Sequence, residues 1–154
     1  MIRFEPLPSG QHSLTPYLCV NNGEAMIDFY RRALGAEVDN VMYVPETTQI
    51  MHASLRVGDS MFYINDEFPQ HGALSPATLG ATGSSVHLQV AEGIDELYEQ
   101  AIAAGATPAM PPEDMFWGDR FGMFVDPSGH KWSLGMTIAN PPTVTPEELK
   151  QMFD

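Results

Sequence analysis

The chain has 154 residues, with 20 Asp and Glu against 7 Lys and Arg, so its formal net charge is −13. With 44% hydrophobic and 18% charged residues it has the composition of a folded globular protein, and no apolar run approaches the roughly 18 residues of a membrane span. So acidic a surface repels phosphate backbones and anionic lipid headgroups, which excludes nucleic acid and membranes as expected partners.

The first predicted segment is an N-terminal arm over residues 1–13. Its opening, Met-Ile-Arg-Phe-Glu-Pro, lacks the apolar stretch and the cleavage site of a signal peptide. The single cysteine, Cys19, cannot form a disulfide within the chain. Both observations favour a protein of the reducing cytoplasm.

A repeat organises the rest of the chain. When the sequence is shifted by 70 positions against itself, identical residues coincide around a strand and at the end of a helical segment in each half. The pairs are Leu18/Leu88, Val20/Val90, Gly23/Gly93, Ala33/Ala103, Gly35/Gly105 and Ala36/Ala106. Two copies of one module are therefore predicted, over residues 14–66 and 84–136.

In the first module, a short apolar run over residues 14–20 predicts a strand, and Asn21 and Asn22 are candidate N-caps for a helix. That helix ends at Gly35 and carries an apolar stripe at helical spacing. The stripe comprises Met26, Phe29, Tyr30, Ala33 and Leu34. Three strands are predicted to follow, over residues 37–43, 50–57 and 61–65.

The second module repeats this order. A strand over residues 86–90 precedes a helix that ends at Gly105, and three strands follow over residues 107–110, 121–125 and 131–135. The helical stripe comprises Ile94, Leu97, Tyr98, Ala101 and Ile102. Each module is therefore predicted to be βαβββ, in a protein of the α+β class.

Less regular segments join and follow the modules. Residues 67–83 are rich in Pro, Gly, Ser and Thr and predict a linker. The C-terminal tail, residues 137–154, has Thr145, Pro146 and Glu148 at the spacing of a capping box, which predicts a short helix. His12, His71 and His130 fall in the arm, the linker and a turn, so these side chains are expected to be solvated.

This duplicated arrangement resembles the vicinal oxygen chelate superfamily, which includes glyoxalase I, bleomycin-resistance proteins, fosfomycin-resistance enzymes and extradiol dioxygenases. Residues 52–59, 115–122 and 126–132 look like its PhnB-like branch, the last through the run Asp-Pro-Ser-Gly-His-Lys-Trp. The resemblance covers residues 14–136. It implies a cupped mixed sheet formed by the two modules, a small-molecule ligand, and a homodimer in which modules pair across subunits.

The metal enzymes of this superfamily carry a ligand on the first and the last strand of each module. The resemblance puts these positions at Thr15, Tyr63, Ser85 and Ser133. Divalent metals favour imidazole and carboxylate donors over neutral hydroxyls, so neither a metal nor another cofactor is expected. The alternative is a divalent metal in a displaced site that uses His52 and His87.

Six residues form the expected ligand site. Tyr17, Tyr63 and His87 share the strand alternation of the expected inward face. The large rings of Phe116 and Trp117 stand beside Arg120 just before a strand, where they can wall a pocket while the cation binds an anionic group. A purely structural role stays open for these three, with the rings packed over the sheet and the arginine paired with a neighbouring carboxylate.

The leading hypothesis is a metal-independent small-molecule-binding protein of the glyoxalase/bleomycin-resistance type. One alternative is a metal-dependent lyase, isomerase or dioxygenase that uses His52 and His87. Another is a scaffold or dimerisation protein whose cup is filled by its own side chains. Because the sequence has no phosphate loop, dinucleotide fingerprint or nucleophile elbow, no catalytic residue is assigned.

Overall fold

The computed structural model describes residues 1–4, 6–7 and 11–154, so residues 5 and 8–10 of the expected arm lie outside the described part. The helices are α1 Gly23–Leu34, α2 Pro76–Leu79, α3 Ile94–Ala104 and α4 Pro146–Gln151. The strands are β1 Tyr17–Val20, β2 Glu37–Tyr43, β3 Ile50–Val57, β4 Ser60–Asp66, β5 Ser85–Gln89, β6 Thr107–Asp114, β7 Asp119–Val125 and β8 Lys131–Thr137. Within these described residues, no helix is long and apolar enough to cross a membrane.

The eight strands form two separate four-stranded sheets, in the orders β1-β4-β3-β2 and β5-β8-β7-β6. In each sheet the first strand runs parallel to the last, and the other neighbours are antiparallel. The predicted α+β fold with two βαβββ modules is therefore confirmed. Within one chain, the mixed sheet is divided into two halves, one from each module.

The two long helices begin and end where the sequence predicted. The Asn22 side chain accepts a hydrogen bond from the backbone N–H of Ala25 at the start of α1, and Gly35 ends the helix with a φ of +65°. Each helix covers one face of its own sheet, and α1 and α3 also pack against each other. Alternate strand residues therefore face the helices or point away from them.

The largest differences from the predicted strands lie at two strand ends. β1 begins at Tyr17, three residues later than predicted, because Pro16 has no N–H to donate and restricts the residue before it. β6 continues to Asp114 although it contains Pro108, Pro111 and Pro112. Prolines are tolerated there because β6 is an edge strand with a neighbour on one side only.

A buried carboxylate joins the two modules. Asp126, 3% exposed, lies in the turn between β7 and β8. Its Oδ2 accepts hydrogen bonds from the Tyr30 hydroxyl at 2.7 Å and from the Trp132 indole N–H at 3.0 Å. Its Oδ1 accepts the backbone N–H groups of Ser128 at 2.9 Å and His130 at 3.0 Å. Four donors thus stabilise one charge that would otherwise be costly to bury.

The same turn contacts the connection between β1 and α1. The Ser128 hydroxyl donates to the Asn21 side-chain oxygen at 2.7 Å, and Nε2 of His130 lies 2.7 Å from the Cys19 carbonyl oxygen. His130 is half-buried, so the prediction that it is solvated was wrong. The Asp-Pro-Ser-Gly-His-Lys-Trp run is therefore a structural clamp between the modules.

Candidate functional site

We call the sheet face that points away from the helices the outer face. On the outer face of the first sheet, Tyr17 of β1 lies directly opposite Tyr63 of β4. The Tyr17 hydroxyl is 2.8 Å from Nδ1 of His52, whose Nε2 is 3.1 Å from the Ser54 hydroxyl. The Tyr63 ring meets both the Tyr17 and the His52 ring edge-on, with centroids 5.5 and 4.9 Å apart. These four side chains form one polar aromatic cluster.

The pKa of Tyr17 reflects its place in this cluster. Partial burial, together with the neighbouring Tyr63, raises the pKa of Tyr17 above its ordinary value. The phenol therefore keeps its proton at neutral pH. Both ring nitrogens of His52 are engaged in hydrogen bonds, Nδ1 with the Tyr17 hydroxyl and Nε2 with the Ser54 hydroxyl.

The outer face of the second sheet has a histidine of its own. Nδ1 of His87 is 2.8 Å from the Ser133 hydroxyl, and Nε2 is 2.9 Å from Oε1 of Gln89. Because an amide oxygen only accepts hydrogen bonds, Nε2 of His87 carries a proton and donates to Gln89. The Gln89 amide nitrogen in turn donates to Asp119 and Thr137, each at 3.4 Å. This chain of contacts fixes the orientation of His87.

A glycine makes room for this arrangement. The His87 ring lies over Gly135 of β8, where an added Cβ would be 3.0 Å from Cε1 of His87 and would collide with Oε1 of Gln89. On its other side the ring is nearly parallel to Phe121, with an interplanar angle of 11° and centroids 6.2 Å apart. A side chain at position 135 would therefore displace the histidine.

The predicted aromatic pair extends this second cluster. Met115 and Asp119 close a tight turn by a backbone hydrogen bond of 2.8 Å, and the turn carries Phe116 and Trp117. The Trp117 ring packs edge-on against Phe121, with centroids 5.5 Å apart, and Phe116 packs edge-on against Trp117 at 5.2 Å. Trp117 is 49% exposed. The rings of His87, Phe121, Trp117 and Phe116 therefore form one row, with exposed residues at positions 87 and 117.

Arg120 lies away from both clusters. It alternates with Phe121 along β7, so it faces α3, where Nε and one guanidinium nitrogen donate to Asp95 at 2.8 and 2.7 Å. Its other guanidinium nitrogen donates to Asp114 at 2.9 Å. These hydrogen bonds raise the pKa of Arg120 and lower the pKa of Asp95. The arginine is thus paired with carboxylates, the structural role left open by the sequence.

The structure groups the predicted site residues in two places. Tyr17 and Tyr63 lie together on the first sheet, and His87 lies with Phe116 and Trp117 on the second. Among the described residues, no hydrogen bond or ring contact joins the two clusters. Each outer face therefore carries a separate cluster of its own.

Sequence reasoning missed two residues of the second cluster, Phe121 and Gly135. The signal for Gly135 was available, because a glycine inside a predicted strand often marks the close approach of another group. Phe121 gave no such signal: the 70-residue repeat pairs it with Met51, and only the strand registers place it at the position that corresponds to His52 of the first module.

The donors at the expected metal positions do not fit a divalent metal. The Ser133 hydroxyl is hydrogen-bonded to His87, and the Tyr63 ring packs against the rings of Tyr17 and His52. Both ring nitrogens of His52 and of His87 are also engaged. No group of three His, Cys, Asp or Glu side chains comes together over the part of the chain that the structure describes. A metal would need donors from outside this arrangement.

Comparison with known proteins identifies the family. The sequence model of the Glyoxalase/Bleomycin resistance protein/Dioxygenase superfamily matches residues 10–134. The chain belongs to this superfamily. It is 36% identical over 129 residues to the uncharacterized protein Mb0911c of Mycobacterium bovis, an alignment that covers 82% of this chain and 84% of that protein.

Solved structures show the same fold. Protein PA1353 from Pseudomonas aeruginosa superposes with a TM-score of 0.66 and 27% identity, over 82% of this chain and 98% of that one. A PhnB protein from Bacillus cereus, described as a putative 3-demethylubiquinone-9 3-methyltransferase, gives a TM-score of 0.61 and 17% identity, over 82% and 100% of the two chains. These likenesses place the chain in the glyoxalase fold with a PhnB-like neighbour.

Proposed function

We propose that the protein binds a small organic molecule in a cup lined by the two outer faces, and that it does so without a metal. The observation that carries this proposal is the state of the two histidines. Each has both ring nitrogens in hydrogen bonds with neighbouring hydroxyl or amide groups. Groups arranged in this way can orient a ligand by hydrogen bonds and stacking, and a metal would have to displace one of these hydrogen bonds to bind.

We further propose that the complete cup requires a homodimer. The two clusters do not meet within one chain, and each is open to solvent, with Tyr17 55% exposed and Trp117 49% exposed. A twofold axis that sets the first sheet of one copy beside the second sheet of its partner joins unlike halves into a single concavity. The single cysteine, which forms no internal disulfide, fits a protein that works in the cytoplasm.

The first test combines elemental analysis with light scattering on protein purified without chelator. The proposal expects a metal-free dimer. Stoichiometric Fe, Mn, Ni or Zn that disappears when His52 and His87 are both replaced by Ala would overturn it in favour of a metal-dependent lyase, isomerase or dioxygenase.

The second test is a ligand screen read by tryptophan fluorescence. A ligand of the cup changes the emission of Trp117, which is half-exposed beside Phe121, and leaves Trp132, which is buried at 2% exposure, unchanged. The matched control is Trp117→Phe, in which the signal disappears while binding measured by calorimetry persists. A chain that binds nothing and has its cup filled by its own side chains would instead be a scaffold or dimerisation protein.

A further inference from the structure

A second concavity lies between the modules, beside the aromatic row on the second outer face. It has a volume of about 560 Å³ and runs between the N-terminal segment, the β3–β4 turn and the free edge of β5. A volume of this size falls in the range of pockets that hold drug-sized molecules. His87 and Gln89 of the second cluster are among the residues that line it.

The interior of this inter-module cleft is apolar and rigid. Phe62 of the first module and Trp132 of the second contact each other edge-on there, with centroids 5.7 Å apart. Leu88 and Val86 of β5 add aliphatic surface. Trp132 is fixed by its hydrogen bond to the buried Asp126. The apolar surface is therefore preformed, which lowers the entropic cost of binding.

Polar groups of the N-terminal segment and of the β3–β4 turn form the rim of the cleft. Nε2 of His12 lies 3.2 Å from the Asp59 backbone oxygen, so the N-terminal segment is joined to the β3–β4 turn at one wall. This contact holds the N-terminal segment beside the turn. Asp59 is the one residue with a formal charge at pH 7 among the described residues that line the cleft, and no Lys or Arg lines it.

We propose that the inter-module cleft binds an apolar small molecule that is neutral or cationic. An anionic ligand is disfavoured because the lining offers it no cation, the nearest formal charge is a carboxylate, and the chain carries a net charge of −13. Half-buried Val86 and Leu88 offer aliphatic surface to the apolar body above Phe62 and Trp132, which are only 4% and 2% exposed, while the polar rim receives a hydrogen-bonding or amine group. The cleft shares His87 and Gln89 with the second cluster but not the rings of Phe116, Trp117 and Phe121.

The test uses Trp117→Phe, which leaves Trp132 as the sole tryptophan of the chain. Titration with the neutral probe N-phenyl-1-naphthylamine is expected to give energy transfer from Trp132. The anionic probe 8-anilinonaphthalene-1-sulfonate should bind at least about tenfold more weakly. Equal binding of both probes overturns the charge argument, and absence of energy transfer overturns the site.

Blocking variants locate the probe. In the Trp117→Phe background, Val86→Phe fills part of the cleft and should weaken binding of the neutral probe at least about tenfold. Val38→Phe, at an exposed position of β2 outside the cleft, is the matched control and should bind normally. Ser60→Phe at the exposed rim serves as a second blocking variant if Val86→Phe does not fold. Undiminished binding by the folded blocking variant rejects the proposal.

Light scattering at saturating probe tests whether a second copy of the chain, instead of a small molecule, occupies the cleft. If the probe converts a dimer to monomers, a second copy of the chain covers the cleft, and the small-molecule proposal is wrong. Failure here leaves the cup proposal standing, because the cup is read through Trp117 in the unmodified chain and the cleft through Trp132.

Discussion

Tyr30 of the first module and Asp126 of the second share a buried hydrogen bond of 2.7 Å, although 96 residues separate them in the chain. Tyr30 is fully buried, and burial together with the Asp126 carboxylate holds its pKa well above the ordinary value. The phenol therefore stays protonated at neutral pH. This contact is one of several that hold the two modules together, beside those of Ser128 with Asn21 and of His130 with Cys19.

Replacement of Asp126 by Ala should destabilise the protein by roughly 3–5 kcal/mol, because a phenol, an indole N–H and two backbone N–H groups lose their acceptor in a buried place. Tyr30→Phe, which removes one donor, should cost about 1–2 kcal/mol. Urea unfolding followed by circular dichroism measures both. If Asp126→Ala lowers the free energy of unfolding no more than Tyr30→Phe does, the Asp126 carboxylate does not organise the contacts of this turn.

Gly135→Ala should move His87 with little loss of stability. The new methyl group meets the His87 ring and the Gln89 amide, both of which can turn towards solvent. Long-range ¹H–¹⁵N NMR spectra should show His87 as the Nε2–H tautomer in the unmodified protein and as a mixture in the variant. Gly83→Ala is the matched control, since nothing lies within 4 Å of its Cβ. Identical His87 signals in both variants would contradict the packing described.

Arg120→Ala should reduce stability by no more than about 1 kcal/mol, because the Asp95 carboxylate is half-exposed and the pair is screened by water. Since the pKa of Asp95 is lowered in the folded state, this stabilisation is present above the ordinary Asp pKa, about 3.9, and is lost as the pH falls through the folded value. The difference in unfolding free energy between the two proteins in low salt should therefore be larger at pH 7 than at pH 3. Ligand binding in the cup should not change.

Cys19 should resist alkylation in the folded protein. Burial, together with the nearby Glu67 carboxylate, raises the pKa of the Cys19 thiol to about 11. The reactive thiolate is then roughly 100-fold scarcer at pH 8 than for a thiol of ordinary pKa. Ellman's reagent should react slowly with native protein and at once in guanidinium chloride. Rapid reaction of the native thiol would place it at the surface.

The features that the sequence predicts well are local. The N-cap at Asn22 and the glycine stop at Gly35 act within one helical turn, so the helix can be located without knowledge of its neighbours. The repeat and strand alternation likewise place Tyr17 opposite Tyr63 on one face. These contacts depend on spacing along the chain, which is visible in the sequence.

The features that the sequence does not predict depend on which elements meet. His130 looked like a solvated turn residue because its partner, the Cys19 carbonyl, is 111 residues away. Arg120 had carboxylates on either side in the sequence, but only the packing of α3 on its sheet selects Asp95. The division of the site between two sheets also follows from this packing, so no pattern within either module could reveal it.

The prolines of β6 have a consequence for association of the unfolding protein. Pro108, Pro111 and Pro112 have no N–H to donate, so a foreign strand finds fewer hydrogen-bond partners along that edge of the second sheet. β2, which occupies the same edge of the first sheet, has no proline and exposes Val38, Met42 and Tyr43. We therefore expect heat- or acid-induced aggregates of this protein to grow from β2, the corresponding edge strand, which contains no proline.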